Sequence, residues 1–467
     1  MPLAVSFNHE TNHNVQSSRL NELANMPVGK LLLRYSVPSV VGMVVTSLYN
    51  IVDRVFIGQI VGSDAIAGLA ITFPLMNIST ALGVLIGAGS ASRVSLLLGN
   101  RDDASARKVL GNALTLTIVI GLIYCTLFSL FVDPVLELFG ATERTIPYAR
   151  DMMLYVLPGL FLTNIAFSFN NVMRAAGFPK KAMYTMFIGA IVNTGLDPIF
   201  IYVLGWGIKG AAIATDIAMA VSAMFVMWHF IKPHGEVHFQ KGTYRLQSRI
   251  IKAIVAIGAA PCIVNIASCL INILINRSLH EFGGDDAIAA AGVFVTATSF
   301  VVCIVLGICQ GMQPIIGYNY GAGQLVRVRH CFWMTAAIST VVCAAGSAAG
   351  LIFPDAIASA FIKDPVLIAK TGYYLRIAMT MFWMVGFQVV STTFFQSIGQ
   401  ANKSILLSLF RQVLFLIPLL LLLPIEFGLI GIWASFPTSD FFATIVTALL
   451  VYHQFRHFKH NTTVTSI

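Results

Sequence analysis

Apolar residues along this chain fall in long, nearly unbroken blocks separated by short polar stretches. Blocks of membrane length lie at about 31–57, 66–97, 109–132, 147–173, 182–204, 208–231, 250–276, 287–316, 329–353, 367–397, 404–424 and 429–452. A helix needs about 20 mostly apolar residues to cross the hydrocarbon core. The pattern predicts an all-α integral membrane protein with twelve transmembrane helices. Pro38, Pro74, Pro158, Pro198, Pro261, Pro314, Pro418 and Pro437 lie inside the blocks. They predict kinks, which neighbouring helices can support by satisfying the freed carbonyls.

Composition agrees and removes other classes. Of 467 residues, 57% are hydrophobic and only 10% charged, too few charges to cover a water-soluble surface of this size. Mean hydropathy is +0.81. The seven cysteines form no CxxC pair and lie in or beside apolar blocks, so they read as packing thiols. The first 25 residues are polar and carry no charged stretch followed by an apolar core. They predict a disordered tail rather than a signal peptide.

Twelve spans place both termini on one side. That side collects 21 of the 29 Lys and Arg, which makes it cytoplasmic. The formal charge of +9 then reflects topology and gives no reason to expect a nucleic-acid partner.

The halves repeat at an offset near 222. Gly62-Ser-Asp-Ala-Ile-Ala-Gly68 recurs as Gly284-Asp-Asp-Ala-Ile-Ala-Ala290, and Gly99, Arg107, Asp133, Phe139 and Gly177 match Gly321, Arg329, Asp355, Phe361 and Gly399. Gly207 matches Gly428 at 221. Six spans per half means both halves enter from the same side, as parallel repeats about an axis along the membrane normal. The predicted organisation is a tail at 1–28, an N-lobe at 29–228 (spans 1–6), a cytoplasmic linker at 229–249, a C-lobe at 250–453 (spans 7–12) and a cytoplasmic tail at 454–467. Two pseudo-symmetric six-helix lobes suit alternating access. The expected cavity lies between the lobes, lined by parts of spans 1, 2, 4, 5, 7, 8 and 10, with Met, Phe and Asn and few fixed charges.

No GxxxxGK[ST] loop occurs; Gly399-Gln-Ala-Asn-Lys-Ser404 lacks the second glycine and follows a span. Export would therefore draw on an ion gradient, with no cofactor. One charge moving through 100 mV releases about 2.3 kcal/mol. Asp53 in span 1, Asp197 in span 5, Asp216 in span 6 and Asp440 in span 12 are the clearest acids inside spans, where each costs about 2.5–3.5 kcal/mol on insertion scales. Asn193 precedes Asp197 by one helical turn. Pro198 has no N–H, so it frees the carbonyl of Thr194. Carboxylate, amide and carbonyl oxygens together suit Na⁺, and a desolvated carboxylate can take H⁺ instead. The spacing does not choose between them. His453, His457 and His460, at i, i+4 and i+7, read as a solvated helix end.

Asn50-Ile-Val-Asp-Arg-Val-Phe-Ile-Gly58, the Gly62–Gly68 stretch, Arg174-Ala-Ala-Gly177 and Gln313-Pro-Ile-Ile-Gly-Tyr-Asn-Tyr-Gly321 resemble signatures of the MATE (multidrug and toxic compound extrusion) family. Tyr318-Asn-Tyr-Gly-Ala322 is similar to the bacterial MepA-like and DinF-like branch. The resemblance covers about residues 28–455. It implies a monomeric multidrug antiporter, not an enzyme, in the bacterial inner membrane. Such a transporter exports cationic, amphipathic drugs in exchange for Na⁺ or H⁺ and contributes to antibiotic resistance. It further implies a cation-coupling site, open to Na⁺, at Asp53, Asn193, Asp197 and Thr215. Pro38, Tyr49, Asn50 and Asp216 are accessory candidates, Pro38 through bending of span 1. Spans 7 and 10 lack the acids that other members carry, which favours an N-lobe site.

Two other readings stand beside this one. A lipid or lipid-linked oligosaccharide flippase would be expected to show a more cationic cavity. A membrane-embedded enzyme such as a prenyltransferase would need an aspartate-rich Mg²⁺ motif. Asp102-Asp103 and Asp285-Asp286 are isolated pairs in short loops.

Overall fold

The structure, a computed structural model, describes residues 20–60, 63–139, 145–232 and 235–464, with side chains described for all of these except 50–60, 63–71, 285 and 459–464. No β-strand occurs among the described residues. The apolar blocks become helices in the expected order. α1 is Val28–Ile60, α2 Ser63–Gly99, α3 Asp103–Leu130, α4 Ile146–Ala175, and α6 Gly207–Ile231. Between the last two, α5 is Pro179–Asp197, continued by a π-helical turn at Pro198–Val203. The path Ser248–Gly321 breaks at Gly284, where φ is 62°, into α7 (248–284) and α8 (286–321). α9 is Leu325–Ile352, and α10 joins Pro365–Met379 to Trp383–Ser397 through a 49° bend. α11 starts at Ala401 and includes a π-helical stretch at Phe410–Leu416. It ends at Gly428, where φ is 54°, and α12 runs from there to Val464. The apolar path Ala401–Phe458 has 58 residues. As one helix it would extend ~87 Å, far beyond the bilayer core, so the break at Gly428 divides it into two crossings. With the bent α10 taken as one span, the total among the described residues is twelve.

The repeat seen in the sequence is also present in the backbone. Left-handed φ occurs at Gly177 (93°) and Gly399 (76°), at Arg101 (59°) and Gly323 (73°), and at Gly207 (56°) and Gly428 (54°). Each pair is separated by 222 or 221 residues. Phe131 and Phe353 close α3 and α9 with similar angles, φ −116° and −121°.

The lobes meet along seams that obey the same symmetry. Gly99 on α2 lies against the Tyr318 carbonyl of α8, and Gly321 on α8 lies against the Leu96 carbonyl of α2. Leu96 and Tyr318 are themselves 222 apart, so this contact straddles the pseudo-two-fold axis. Gly89 on α2 lies against Ile254 and Gly258 of α7, while its equivalent Gly311 on α8 lies against Ser36 of α1. Small residues let membrane helices approach closely where no hydrophobic force drives them together. Polar bonds join the same seams. Gln313 Nε2 donates to Ser92 Oγ at 2.7 Å and Ser36 Oγ to the Ile308 carbonyl at 3.4 Å.

Two expectations change. The N-terminal tail is not disordered up to Asn25: residues 20–25 are helical and Leu23 is fully buried. The Leu23 carbonyl accepts from Asn319 Nδ2 at 3.2 Å and from an Arg327 guanidinium nitrogen at 3.1 Å, which fastens this segment to the C-lobe. His229 is not a linker residue. It is buried in the last turn of α6, with Lys181 Nζ 3.5 Å from its ring nitrogen. The linker that follows is held to α3 rather than free: Asn112 Nδ2 donates to the Thr243 carbonyl at 3.1 Å, and its Oδ1 accepts from the Gln247 amide at 2.7 Å.

On the side opposite the basic loops, several cations are locally neutralised. Arg150 pairs with Asp133 at 3.5 Å, Lys209 with Asp151 at 3.2 Å, and Lys370 with Asp286 at 3.0 Å.

Candidate functional site

The C-terminal end of α5 brings three of the predicted residues together. Asn193 is 1% exposed and Asp197 0%. Asn193 Nδ2 stands 3.4 Å from Asp197 Oδ1 and 3.3 Å from Thr215 Oγ1 on α6. The four-residue spacing places Asn193 and Asp197 on one helix face, and α6 packs beside that face. Asn193 Oδ1 is buried with no hydrogen-bond partner among the described residues, so the cluster holds an amide oxygen free to accept. Pro198 does not simply kink the helix. The chain passes into a π turn, and the Leu204 amide bonds five residues back to the Ile199 carbonyl. π turns of this kind are frequent at functional sites.

Asp216 follows Thr215 and packs on α4 at Gly159, where a side chain would collide with its carboxylate. It is therefore beside the cluster but on another face of α6. Pro38 is buried in α1, between Ser36 and Val40, both of which touch α8. Tyr49 is half-buried and lines a cavity described below. The side chains of Asp53 and Asn50 lie outside the described residues, so the structure brings together Asn193, Asp197 and Thr215 of the predicted set.

One turn inward from this cluster, a chamber of about 210 Å³ opens among α1, α4, α5 and α6. Its walls include Met43, Met186, Met219, Phe167 and Thr46, with Gln310 reaching in from α8. Met, Phe and Asn side chains thus share its lining, and it is set within the N-lobe, with nothing contributed by spans 2, 7 and 10. Thioether side chains give such a wall adaptability.

Its inner end carries a charge that the sequence reading quoted within the Arg174-Ala-Ala-Gly177 signature but gave no role in a site. Arg174, 4% exposed, borders the chamber. Its guanidinium donates to Asn170 Oδ1 at 2.7 Å and Asn171 Oδ1 at 2.5 Å. The available signal was an arginine spaced three and four residues from two asparagines, inside an otherwise apolar block.

The C-lobe does not reproduce the cluster. At the equivalent register, Asn193, Asp197, Thr215 and Asp216 become Phe415, Leu419, Phe436 and Pro437. Chamber residues Gly189 and Met219 become Arg411 and Asp440, whose side chains form an ion pair at 3.2 Å. Gln388 Nε2 further donates to the Asp440 carbonyl at 2.7 Å.

Comparison with known proteins adds to this geometry. A family model described as MatE matches residues 38–199 and 260–422. The multidrug export protein MepA of Staphylococcus aureus strain MRSA252 is 25% identical over 440 residues, 94% of this chain and 96% of that one. An FAD transporter of Shewanella oneidensis is 26% identical over 425 residues, 90% of this chain and 93% of that protein. A structure of the MATE multidrug transporter DinF-BH in complex with a ligand superposes with a TM-score of 0.86 at 36% identity, covering 92% of this chain and 96% of that one. An outward-facing MATE transporter structure, 24% identical, has a TM-score of 0.88 over 94% of this chain and 98% of that one and shares the fold.

Proposed function

Since the chain belongs to the MATE family, whose members are multi-pass transporters and not enzymes, we propose that it exports small amphipathic drugs across the bacterial cytoplasmic membrane in exchange for Na⁺ or H⁺. The observation that carries this reading is the placement of the Asn193–Asp197–Thr215 cluster one helical turn beyond a chamber with Met and Phe walls. A cation bound at the cluster and a drug in the chamber would compete for the same packing of α1, α5 and α6. Exchange needs such a coupling: each ligand must favour one conformation of the lobe over another.

In this reading Asp197 supplies charge, Asn193 and Thr215 supply neutral oxygens, and Asp53, whose side chain lies outside the described residues, is proposed as the second acid. Water can replace one neutral ligand, but it brings no charge to replace a carboxylate. Several seams between the lobes lie at the end bearing the basic loops, including Gly99 against Tyr318 and Gly311 against Ser36. With that end cytoplasmic, these seams close the lobes toward the cytoplasm.

The test is efflux of a fluorescent cation from vesicles under imposed Na⁺ or H⁺ gradients, with protein amount controlled. Asp53→Asn and Asp197→Asn each abolish gradient-driven efflux, Thr215→Ala reduces it less, and Asp216→Asn reports on chemistry beside the cluster. Near-normal efflux from a correctly inserted Asp197→Asn protein would remove the N-lobe site.

A further inference from the structure

We propose that the inner end of the chamber recognises an oxyanion, a carboxylate or phosphate ester carried by an amphipathic exported substrate, and that Arg174 is the recognising residue. This rests on the export reading and adds a polarity to it. Four observations combine.

Arg174 is almost fully buried and borders the chamber. Its hydrogen-bond acceptors, Asn170 Oδ1 and Asn171 Oδ1, are both neutral amides, and it enters no ion pair among the described residues. A buried charge normally keeps an opposite charge or a full hydrogen-bond shell. Guanidinium carries five N–H donors in a planar fork suited to carboxylate and phosphate.

The amides that orient it are themselves fixed. Asn170 Nδ2 donates to the Ala182 carbonyl at 2.7 Å and Asn171 Nδ2 to the Phe167 carbonyl at 2.9 Å. The fork is therefore held in place before any ligand arrives, which lowers the ordering cost of binding.

The helix end does not require a cation. In the C-lobe the equivalent position is Gln396, equally buried, and the same left-handed turn follows at Gly399 as at Gly177. The residue equivalent to Asn170 is Thr392. A capping role would be expected in both lobes, yet only the lobe with the chamber carries the arginine.

The acids lie at the far end. Gly159, which contacts Asp216, and Arg174 are 15 residues apart on α4, a rise of about 22 Å. The lobe thus presents a fixed cation inward and carboxylates outward, with apolar walls between.

The probe is a matched pair of dyes, a rhodamine with a free carboxylate and its ethyl ester, titrated by fluorescence polarisation against the purified full-length chain in detergent. In Arg174→Gln the acid-to-ester affinity ratio falls about tenfold relative to the unmodified protein, the scale of one charged hydrogen bond lost. Arg174→Lys, which keeps charge but not the fork, recovers part of it. Should Arg174→Gln fail to fold, Asn170→Asp sets a carboxylate against the guanidinium and lowers the ratio in the same way. An unchanged ratio in folded variants, or equal loss for acid and ester, would overturn the proposal. So would displacement of the acid dye by phosphatidylglycerol but not phosphatidylcholine, which would assign the fork to a lipid headgroup. Gradient-dependent efflux of the ester tests the export reading separately. If that efflux is absent while the ratio still depends on Arg174, the export reading fails and the oxyanion site remains.

Discussion

Gly307 on α8 faces α1 close to Pro38. A Cβ at position 307 would stand 2.6 Å from Val40 Cα and 2.9 Å from Val40 N, where ordinary contact begins near 3.4 Å. Gly307→Ala therefore requires the two backbones to part by about 0.8 Å, the difference between those values. Neither atom can rotate out of the way, because both belong to the main chain. Overpacking of this kind costs about 1–3 kcal/mol, and the cost applies only while the seam is closed. The open-seam population should rise by the same free energy, roughly 5- to 150-fold. Ser36, one turn from Val40 and 7% exposed, offers a reporter. In a background with the seven native cysteines replaced, Ser36→Cys is protected from a maleimide while the seam is shut. When opening and closing are fast, its alkylation rate follows the open population. Gly307→Ala should accelerate alkylation by the factor above without changing expression. Unchanged protection in a folded Gly307→Ala protein would show that α1 absorbs the methyl group and that the seam is not tight, contrary to the reasoning.

Two further outcomes follow from the C-lobe and from the loops. Arg411→Leu leaves the buried Asp440 carboxylate uncompensated and should destabilise the protein by about 3–5 kcal/mol, Asp440→Leu leaves the part-exposed Arg411 and should cost less, and the double Leu variant recovers most of the loss. Thermal unfolding in detergent as a double-mutant cycle measures this, and single variants as stable as the unmodified protein would show that the pair is dispensable. Asp102 caps α3, its Oδ1 accepting from the Ser105 amide at 3.0 Å, so Asp102→Ala should cost about 0.5–2 kcal/mol. Bonds from Ser105 hold the Asp102 carboxyl below the usual carboxylate range. The cap is therefore present at neutral pH and is lost as pH falls through that lowered value. Protection of the Ser105 amide from hydrogen exchange should disappear over the same acid range, and protection that ignores pH would refute the assignment.

Much of the fold is legible because a bilayer restricts the choices. An apolar block of adequate length has one structural outcome in lipid, and the blocks around α3, α6 and α9 match their helices within a few residues. The repeat is legible because left-handed turns demand particular residues. Gly177, Gly399, Gly207 and Gly428 recur where L side chains would be strained. Arg101 shows the limit of that logic, since a non-glycine occupies the same geometry as Gly323. The Asn193–Asp197 pair is visible from a four-residue spacing, but its neighbour across the helix interface, Thr215, is reached only through the family resemblance. Nothing in linear order says that Thr215, rather than Asp216, turns toward Asn193. The chamber's place was also hidden. It depends on which glycines are filled by side chains from other helices, as Gly159 is by Asp216, and periodicity carries no record of that.

Pseudo-symmetry allows the two lobes to be compared at the register of the chamber. At the register where the N-lobe has Gly189 and Met219 beside open space, the C-lobe has Arg411 and Asp440 bonded to each other. One lobe leaves the volume empty and the other fills it with an internal ion pair. The oxygens of Asn193 and Thr215 are replaced in the C-lobe by Phe415, which stacks on Phe442, and Phe436, which packs at a tilt against Phe294. An ion pair between helices resists separation because parting the charges in a low-dielectric medium is costly. The C-lobe's α11 and α12 are thereby tied together, while α5 and α6 of the N-lobe meet through neutral contacts such as Asn193 with Thr215 and Ser222 with the Thr185 carbonyl. Loosely tied helices around a chamber can respond to a bound cation or substrate, and a tied pair cannot do so without breaking its bridge. The two lobes share one backbone plan. Under the proposed exchange, a few substitutions at the centre of each bundle divide them into a responsive half and a braced half.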